Sequence, residues 1–503
     1  MKKIIRISLL VGIIGVTGVS TTSCSLDPVQ SNYKDNEKTP IRDVAELLAS
    51  LNGSYARMAS ELYYGRDIIA FSESRSSYMY SDDRSGRFGS ISGFTILPTH
   101  AYAKETWEQI YKVISNTNRV LEADVSVDAY VEYYKGQAYI IRALAHYDLV
   151  RLYGEQYVGG KGLEALGVPY KTSFSDIDEA IKRPTVRENE KAIFEDLNKG
   201  IELMIKSQNK VGSQASERAR FNLASAYGLK SRIALFFSKY DNSKYEVVVE
   251  SAMSAIKLAK ERNINVISRS GFLDGYKGDG IMSNSLLELT QSGVDNRGVN
   301  SLYNIYFKSR TEGYGDLIWK DKDLNRFFPK LENNKIVDDI RGQVIGPDFQ
   351  GILRNLGKYT VRTSNIRFMR IEEIMLNYIE ATIKGASNGD NGVALDFLNE
   401  IVRQRVTLQD QKLPNQEQPA AVAKSYSVLD FDIYKMERVR ELMFEGFDYE
   451  DIMRFEGEVV NPKVLSNPSI SKGKIVFGDA LTAFPIPQSE INVSKIEQNQ
   501  AYK

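Results

Sequence analysis

The stretch KMERVRELMFEGFDYEDIMRFEG, Lys435–Gly457, decides the reading of this 503-residue chain. Met436, Val439, Leu442, Met443 and Gly446 recur at steps of three and four, which predicts one amphipathic helix with these residues on its core face. Glu437, Arg440 and Glu441 then lie toward the other faces. Arg438, Glu441 and Glu445 are three and four residues apart, so an arginine and two carboxylates can meet on a helix surface. Two chemistries fit that spacing. Glu441 and Glu445 could form an acid and base pair, which needs two carboxylates in different environments, or they could belong to a salt-bridge lattice. An arginine beside each acid favours the lattice, because a neighbouring cation keeps a carboxylate ionised.

The same residues carry a family resemblance. Glu437-Arg438-Val439-Arg440-Glu441-Leu442 followed by Phe444-Glu445-Gly446 resembles the ER-x-REL-x-FEG signature of the SusD/RagB family. Asp451-Ile452-Met453-Arg454-Phe455 resembles its D-L-x-R-W segment, with phenylalanine in place of tryptophan. Further similarities run from Trp107-Glu108-Gln109-Ile110-Tyr111 with Asn118, through Ile141–Tyr147, Gly167-Val168-Pro169, Ile193–Leu197 and Arg367–Ala381, to Phe484-Pro485-Ile486-Pro487 and Gln498–Tyr502. The resemblance covers residues 24–503. It implies a nutrient-capturing outer-membrane lipoprotein, not an enzyme, with no cofactor or metal, that works with a SusC-like TonB-dependent transporter.

Composition agrees with a large soluble fold. Hydrophobic residues make up 42% of the chain, and Lys plus Arg equals Asp plus Glu at 65 each, so no basic field draws in nucleic acid. With 29 Tyr and 21 Phe against two Trp, the aromatic groups join apolar faces to polar tips, which suit sugars and peptides alike.

Residues 1–23 read as a signal segment: Lys2, Lys3 and Arg6 precede an apolar run, Ile7–Val19, and small residues follow. That run is short for a bilayer span. Cys24, the only cysteine, follows Thr21-Thr22-Ser23 as in a lipobox, with Thr21 where leucine is usual. Lipidation there would anchor the chain to a membrane, which the resemblance implies is the outer membrane, with the protein facing the cell surface. Loss of residues 1–23 removes three basic residues and no acid, leaving a net charge of −3. Residues 24–40 are polar and aperiodic and read as a lipidated tether.

Beyond the tether the rhythm is helical. Val44, Leu47, Leu48, Leu51 and Tyr55 share one face; Trp107, Ile110, Tyr111, Ile114 and Asn118 share another; Tyr133–Tyr153, Ala192–Met204 and Phe221–Phe237 continue the series. Small alanines in Tyr133–Tyr153 would let a second helix approach closely. The fold class is mainly α: tetratricopeptide-like hairpins packed against an irregular half with a few short strands, one of them at Asn284–Leu289. The 41–503 domain then divides into a helical half, roughly 41–265 plus 365–405, and an irregular half, roughly 266–364 and 406–503.

Two stretches break the helical pattern and carry the candidate ligand contacts. Tyr64–Tyr102 holds Arg75, Tyr78, Tyr80, Asp82, Asp83, Arg84, Arg87, Phe88 and His100, a dense set for a loop. Asn296–Glu332 holds Tyr303, Asn304, Tyr306, Arg310, Tyr314, Asp316 and Trp319, an aromatic platform with hydrogen-bonding groups. Arg75, Tyr78, Tyr80, Asp82, Arg84, Tyr303, Tyr306, Tyr314 and Trp319 form the expected ligand set, and Glu437, Arg438, Arg440, Glu441, Glu445 and Gly446 the structural signature. Asp321, Asp323, Asn325 and Glu332 have calcium-loop spacing, but Arg326 stands where glycine must turn. Gly154–Lys161 lacks phosphate-loop spacing and reads as a helix-ending turn, and His146 reads as a packed core residue. A glycan ligand leads the reading, a peptide follows, and a surface hydrolase using Glu441 and Glu445 comes a distant third.

Overall fold

The computed structural model describes residues 40–174, 182–412, 417–470 and 472–503. The signal segment, Cys24 and residues 24–39 of the tether lie outside them. Within 41–503 the long helices pack as neighbours in sequence: Ala129–Tyr153 against Val186–Ser207, Leu223–Phe237 against Lys244–Lys260, and Ile371–Ile383 against Asn391–Arg403. Local capping starts several of them. Thr185 and Glu188 form a reciprocal capping box, and the Asp43, Asp128 and Asp390 carboxylates accept first-turn N–H groups.

Glycines set a close approach in the first of these pairs. A side chain at Gly136 would lie 2.9 Å from the Gly200 carbonyl oxygen, and one at Gly200 would lie 2.7 Å from that of Gly136. The Ala129–Tyr153 helix is buried along most of its length, and its final turn ends at Gly154. No helix among the described residues is long and apolar enough to cross a membrane.

The rest of the described chain is further helices, among them Val44–Met58 and Ala101–Glu122, and short strands joined by turns. Ser285–Leu289 pairs antiparallel with Ile366–Arg370, and a small sheet runs Val422–Ala423, Val406–Asp410, Lys335–Asp339, Leu331–Glu332. The calcium-like spacing does not form a loop: Glu332 lies in that sheet with Lys424 at 2.5 Å, and Asp321 faces Arg326.

Lys435–Gly457 is not one helix. It forms the end of Phe431–Leu442 and the whole of Asp448–Arg454, separated by a turn in which Phe444 has φ of 70° and Gly446 of 87°. Gly446 is required there, because its positive φ suits glycine and an added Cβ would sit 3.0 Å from the Ile69 Cα. The core face also differs from expectation: Tyr434, Glu437, Arg438, Glu441 and Leu442 are buried, while Met436 and Val439 are only partly covered. Charge faces inward because partners arrive from elsewhere in the chain.

Tyr64–Tyr102 is likewise not a plain surface loop. It contains the helix Asp67–Ser74, buried at every position, and most of its polar side chains find partners inside the protein, the Ser74 hydroxyl excepted. Glu73 accepts from the Phe444 and Gly446 N–H groups at 3.1 and 2.7 Å, and Ser72 donates to Glu450 at 2.6 Å.

Candidate functional site

The two irregular stretches meet through a strand pair. Met79–Ser81 runs antiparallel to Leu317–Trp319, with Met79 opposite Trp319, Tyr80 opposite Ile318 and Ser81 opposite Leu317. Period two buries Met79 and Ser81 and leaves Tyr80 partly exposed. Beyond the strand, a turn with positive φ at Asp83, Gly86 and Phe88 brings residues 82–88 over the second stretch.

Arg87 fastens that turn. Its guanidinium lies 4.1 Å over the Tyr314 ring, donates to Asn300 Oδ1 at 3.2 Å, and stands 3.8 Å from Asp316. The Ser85 hydroxyl donates to Asp316. Burial pushes the Asp316 carboxyl upward, opposed by Ser85 and Arg87. From below, Arg354 donates to the Gly315 and Leu317 carbonyls and pairs with Asp348 at 2.7 Å. The rim carries an Asp82–Arg84 ion pair at 2.9 Å. Tyr303 stacks on Phe307 with centroids 4.9 Å apart. Tyr314 is 39% exposed, so one face is covered by arginine while much of the ring remains open.

Of the nine expected contacts, Tyr80, Asp82, Arg84, Tyr303 and Tyr314 reach the surface. Arg75, Tyr306 and Trp319 do not, and this corrects the expectation. Arg75 is enclosed between the Tyr449 ring at 3.8 Å and the Phe484 ring at 4.6 Å. Trp319 packs edge-on against Phe327 and Phe444, and Tyr306 donates to the Phe444 carbonyl at 3.3 Å. Tyr78 stacks on Trp319 and is mostly buried. These aromatics form the floor beneath the face. Arg87 and Asp316 stood in the two stretches without entering the expected set, and Asn300 carried no signal: its value lies in being 213 residues from the arginine it accepts from.

The signature carboxylates have a different role. Glu441 accepts from Arg405 at 3.0 and 3.1 Å and from Arg370 at 3.1 Å. Glu445 accepts from Arg370 and from Lys358 Nζ at 2.5 Å, and Glu437 from Arg341 and Arg440, both at 2.7 Å. Arg438 pairs with Asp451 at 2.6 Å. Burial pushes the three glutamates upward, but the adjacent cations outweigh it and hold all three below the usual carboxylate range. Both members of the would-be acid–base pair are buried and held low by their cations, so neither is set up as a raised-pKa acid, and the arrangement favours the salt-bridge lattice over the acid–base pair. Apart from Arg440, which reaches Glu437 from its own helix, the partners are Arg341, Arg370, Arg405 and Lys358 from elsewhere in the interior.

Neither histidine is placed as a base. His100 Nδ1 accepts the Tyr102 N–H at 3.1 Å, so the neutral ring carries its proton on Nε2, 3.3 Å from Ser90 Oγ, and donates toward that serine. His146 Nε2 accepts the Lys171 N–H at 3.0 Å while Nδ1 donates to the Arg142 carbonyl at 2.9 Å. Its ring stacks on Tyr170 at 3.6 Å.

Comparison with known proteins agrees with the geometry. A family model described as starch-binding associating with outer membrane matches residues 29–235, and the SusD family model matches residues 353–502. The SusD-like protein P2 of Formosa agariphila is 27% identical over 236 residues, which is 45% of this chain and 42% of that protein, so the match spans less than half of the relative's length. A SusD superfamily protein from Bacteroides thetaiotaomicron superposes with a TM-score of 0.76 at 22% identity, covering 91% of this chain and 99% of that one. A SusD-like carbohydrate binding protein from Bacteroides vulgatus superposes with a TM-score of 0.71 at 16% identity, covering 90% and 97%.

Proposed function

Since the chain belongs to the SusD/RagB family, we propose that it is a surface lipoprotein, anchored through Cys24, that captures an oligomeric glycan. It would hand that glycan to a SusC-like TonB-dependent transporter in the outer membrane. Family membership supports an outer-membrane binding protein rather than an enzyme, and the carbohydrate-binding neighbour supports a sugar.

The observation that carries the reading is the joining of two remote stretches into one face. Tyr80, Arg84, Tyr303 and Tyr314 offer rings and hydrogen-bonding groups there, over a rigid aromatic floor. A pyranose presents an apolar C–H face and peripheral hydroxyls, and such a surface satisfies both. Peptide capture is the second reading, favoured by the Asp82–Arg84 pair, whose opposite charges match peptide side chains or termini.

A printed oligosaccharide array probed with the detergent-solubilised full chain tests the proposal. Retained saturable signals should fall at least tenfold in Tyr314→Ala while the thermal midpoint stays put. A peptide-only response, or sugar binding indifferent to both Tyr314→Ala and Tyr303→Ala, would overturn it.

A further inference from the structure

Resting on the glycan-binding reading, we infer that the ligand is an anionic oligosaccharide, bearing carboxylate or sulfate groups, recognised by Lys308 and Arg310 beside the Tyr314 ring. The argument is one of charge complementarity at one face. The chain without residues 1–23 is acidic overall, at −3. The face around Tyr314 has the opposite bias. Arg84 is balanced by Asp82, Arg362 by Glu312 at 2.8 Å, and Arg87 by Asp316. Lys308 and Arg310 have no carboxylate at ion-pair distance among the described residues.

Their placement is fixed by the surrounding chain. A side chain at Gly315 would meet the Lys308 Cβ at 2.7 Å, so Lys308 lies directly against the segment that carries Tyr314. Gly315 has φ of 57°, and its lack of a side chain permits that contact. Arg310 sits 5.9 Å over the Phe349 ring, and Phe349 is 47% exposed. Lys308 therefore stands beside the segment that carries the half-open Tyr314 ring, and Arg310 over the open Phe349 ring. A neutral sugar would leave both charges without a counterion, whereas an acidic sugar could stack on a ring and place its charged substituent against a guanidinium or ammonium. Of the carboxylates near the face, Asp316 is 3% exposed and Glu312 is engaged by Arg362; Asp83 is exposed without an ion pair among the described residues, but its carboxyl lies against Gly89.

The test measures affinity by titration calorimetry with the full chain in detergent against four probes of matched length: maltotetraose, tetragalacturonate, a sulfated carrageenan tetrasaccharide and tetraglutamate. At least one of the two anionic sugars should bind about tenfold or more tightly than maltotetraose. That preference should shrink as salt rises from 50 to 500 mM. Lys308→Gln with Arg310→Gln should abolish it, with the thermal midpoint unchanged, while Lys199→Gln on the Val186–Ser207 helix should leave it intact. Which anionic sugar binds separates carboxylate from sulfate recognition. Equal or tighter binding of maltotetraose overturns the inference and leaves glycan capture standing. An anionic preference that survives the double substitution also overturns it. Binding of tetraglutamate alone, or of none of the four, overturns this inference and counts against the glycan reading on which it rests.

Discussion

Glu441→Gln tests whether the signature is a structural lattice. The carboxylate is 0% exposed and sits among Arg405, Arg370 and, at 3.6 Å, Arg341. Replacing it with an amide removes an anion and aims N–H donors at guanidinium groups that cannot accept. Arg405 retains Glu372 at 2.9 Å and Arg370 retains Glu445, so the network becomes unbalanced rather than empty. Breaking a buried ion pair on one side costs about 3–5 kcal/mol. A unit spanning Ile41–Lys503 has an unfolding entropy of roughly 1 kcal/mol per kelvin at the usual per-residue value, so that cost lowers the midpoint by about 3–5 °C. Differential scanning calorimetry at pH 7 reads this directly, with the surface Lys199–Glu202 pair as control: Glu202→Gln should not shift the midpoint. A Glu441→Gln midpoint within about 1 °C of wild type, against the roughly 3–5 °C expected, would refute the reasoning.

Two pH predictions follow from buried groups. Burial, followed by the smaller effect of the Arg142 charge and opposed by its carbonyl, pulls the His146 ring down to about 3. The unfolded chain takes up that proton below about 6.5 while the folded chain does not, so stability is full above about pH 6.5 and declines toward pH 3. The single-site loss reaches about 3 kcal/mol at pH 4, and His146→Gln should flatten that part of the denaturant midpoint against pH. An unchanged slope in the variant would contradict it. Glu73 and Asp448 behave oppositely. Burial and then the Glu73 carboxylate push Asp448 well up, while burial pushes Glu73 up to about 7 despite the Gly446 and Phe444 N–H groups and Lys358. Both carboxyls are raised, so their contribution is full below the ordinary carboxylate range at about pH 4 and is lost as pH rises from there through about 7. The wild-type thermal midpoint should therefore lose this contribution between about pH 5 and 8, and that of Asp448→Asn should lose less. Parallel curves would refute the coupling.

Much of the helical half is visible in sequence, because burial of one stripe leaves a spacing record. Trp107, Ile110 and Ile114 lie inside, and the strand expected at Asn284–Leu289 forms over Ser285–Leu289. The signature helix misleads for a definable reason. Periodicity assigns apolar residues to the core, but Arg341, Arg370 and Arg405, distant in sequence, make Glu437 and Glu441 buriable. Phe444 at positive φ breaks the helix without a glycine or proline at that position to announce it. Similarly, Asp67–Ser74 has a loop-like polar composition because its polar groups pair with backbone and side chains nearly 380 residues away. Sequence density singled out two stretches that the structure joins through a strand pair, but it could not separate floor from surface. Trp319 and Tyr306 resemble platform aromatics in composition, and only the strand register and the Phe444 contact place them underneath.

That layering connects the signature to binding without requiring it to touch a ligand. The ionic network holds Glu437, Glu441 and Glu445 and so fixes the turn through Met443 and Gly446; Lys358 reinforces it by donating to the Glu441 and Met443 carbonyls, both at 3.0 Å. Phe444, projecting from that turn, supports Trp319 and Tyr306. Trp319 in turn closes the strand whose register positions Tyr80, while Asp316 lies one residue before that strand and receives the Ser85 hydrogen bond. A perturbation in the network should therefore reach the face as lost order, through a continuous set of packed groups. Lys308, Arg310 and Arg84 stand outside this chain of support. Changes there can retune charge preference at little cost to stability, because surface charges contribute little to folding.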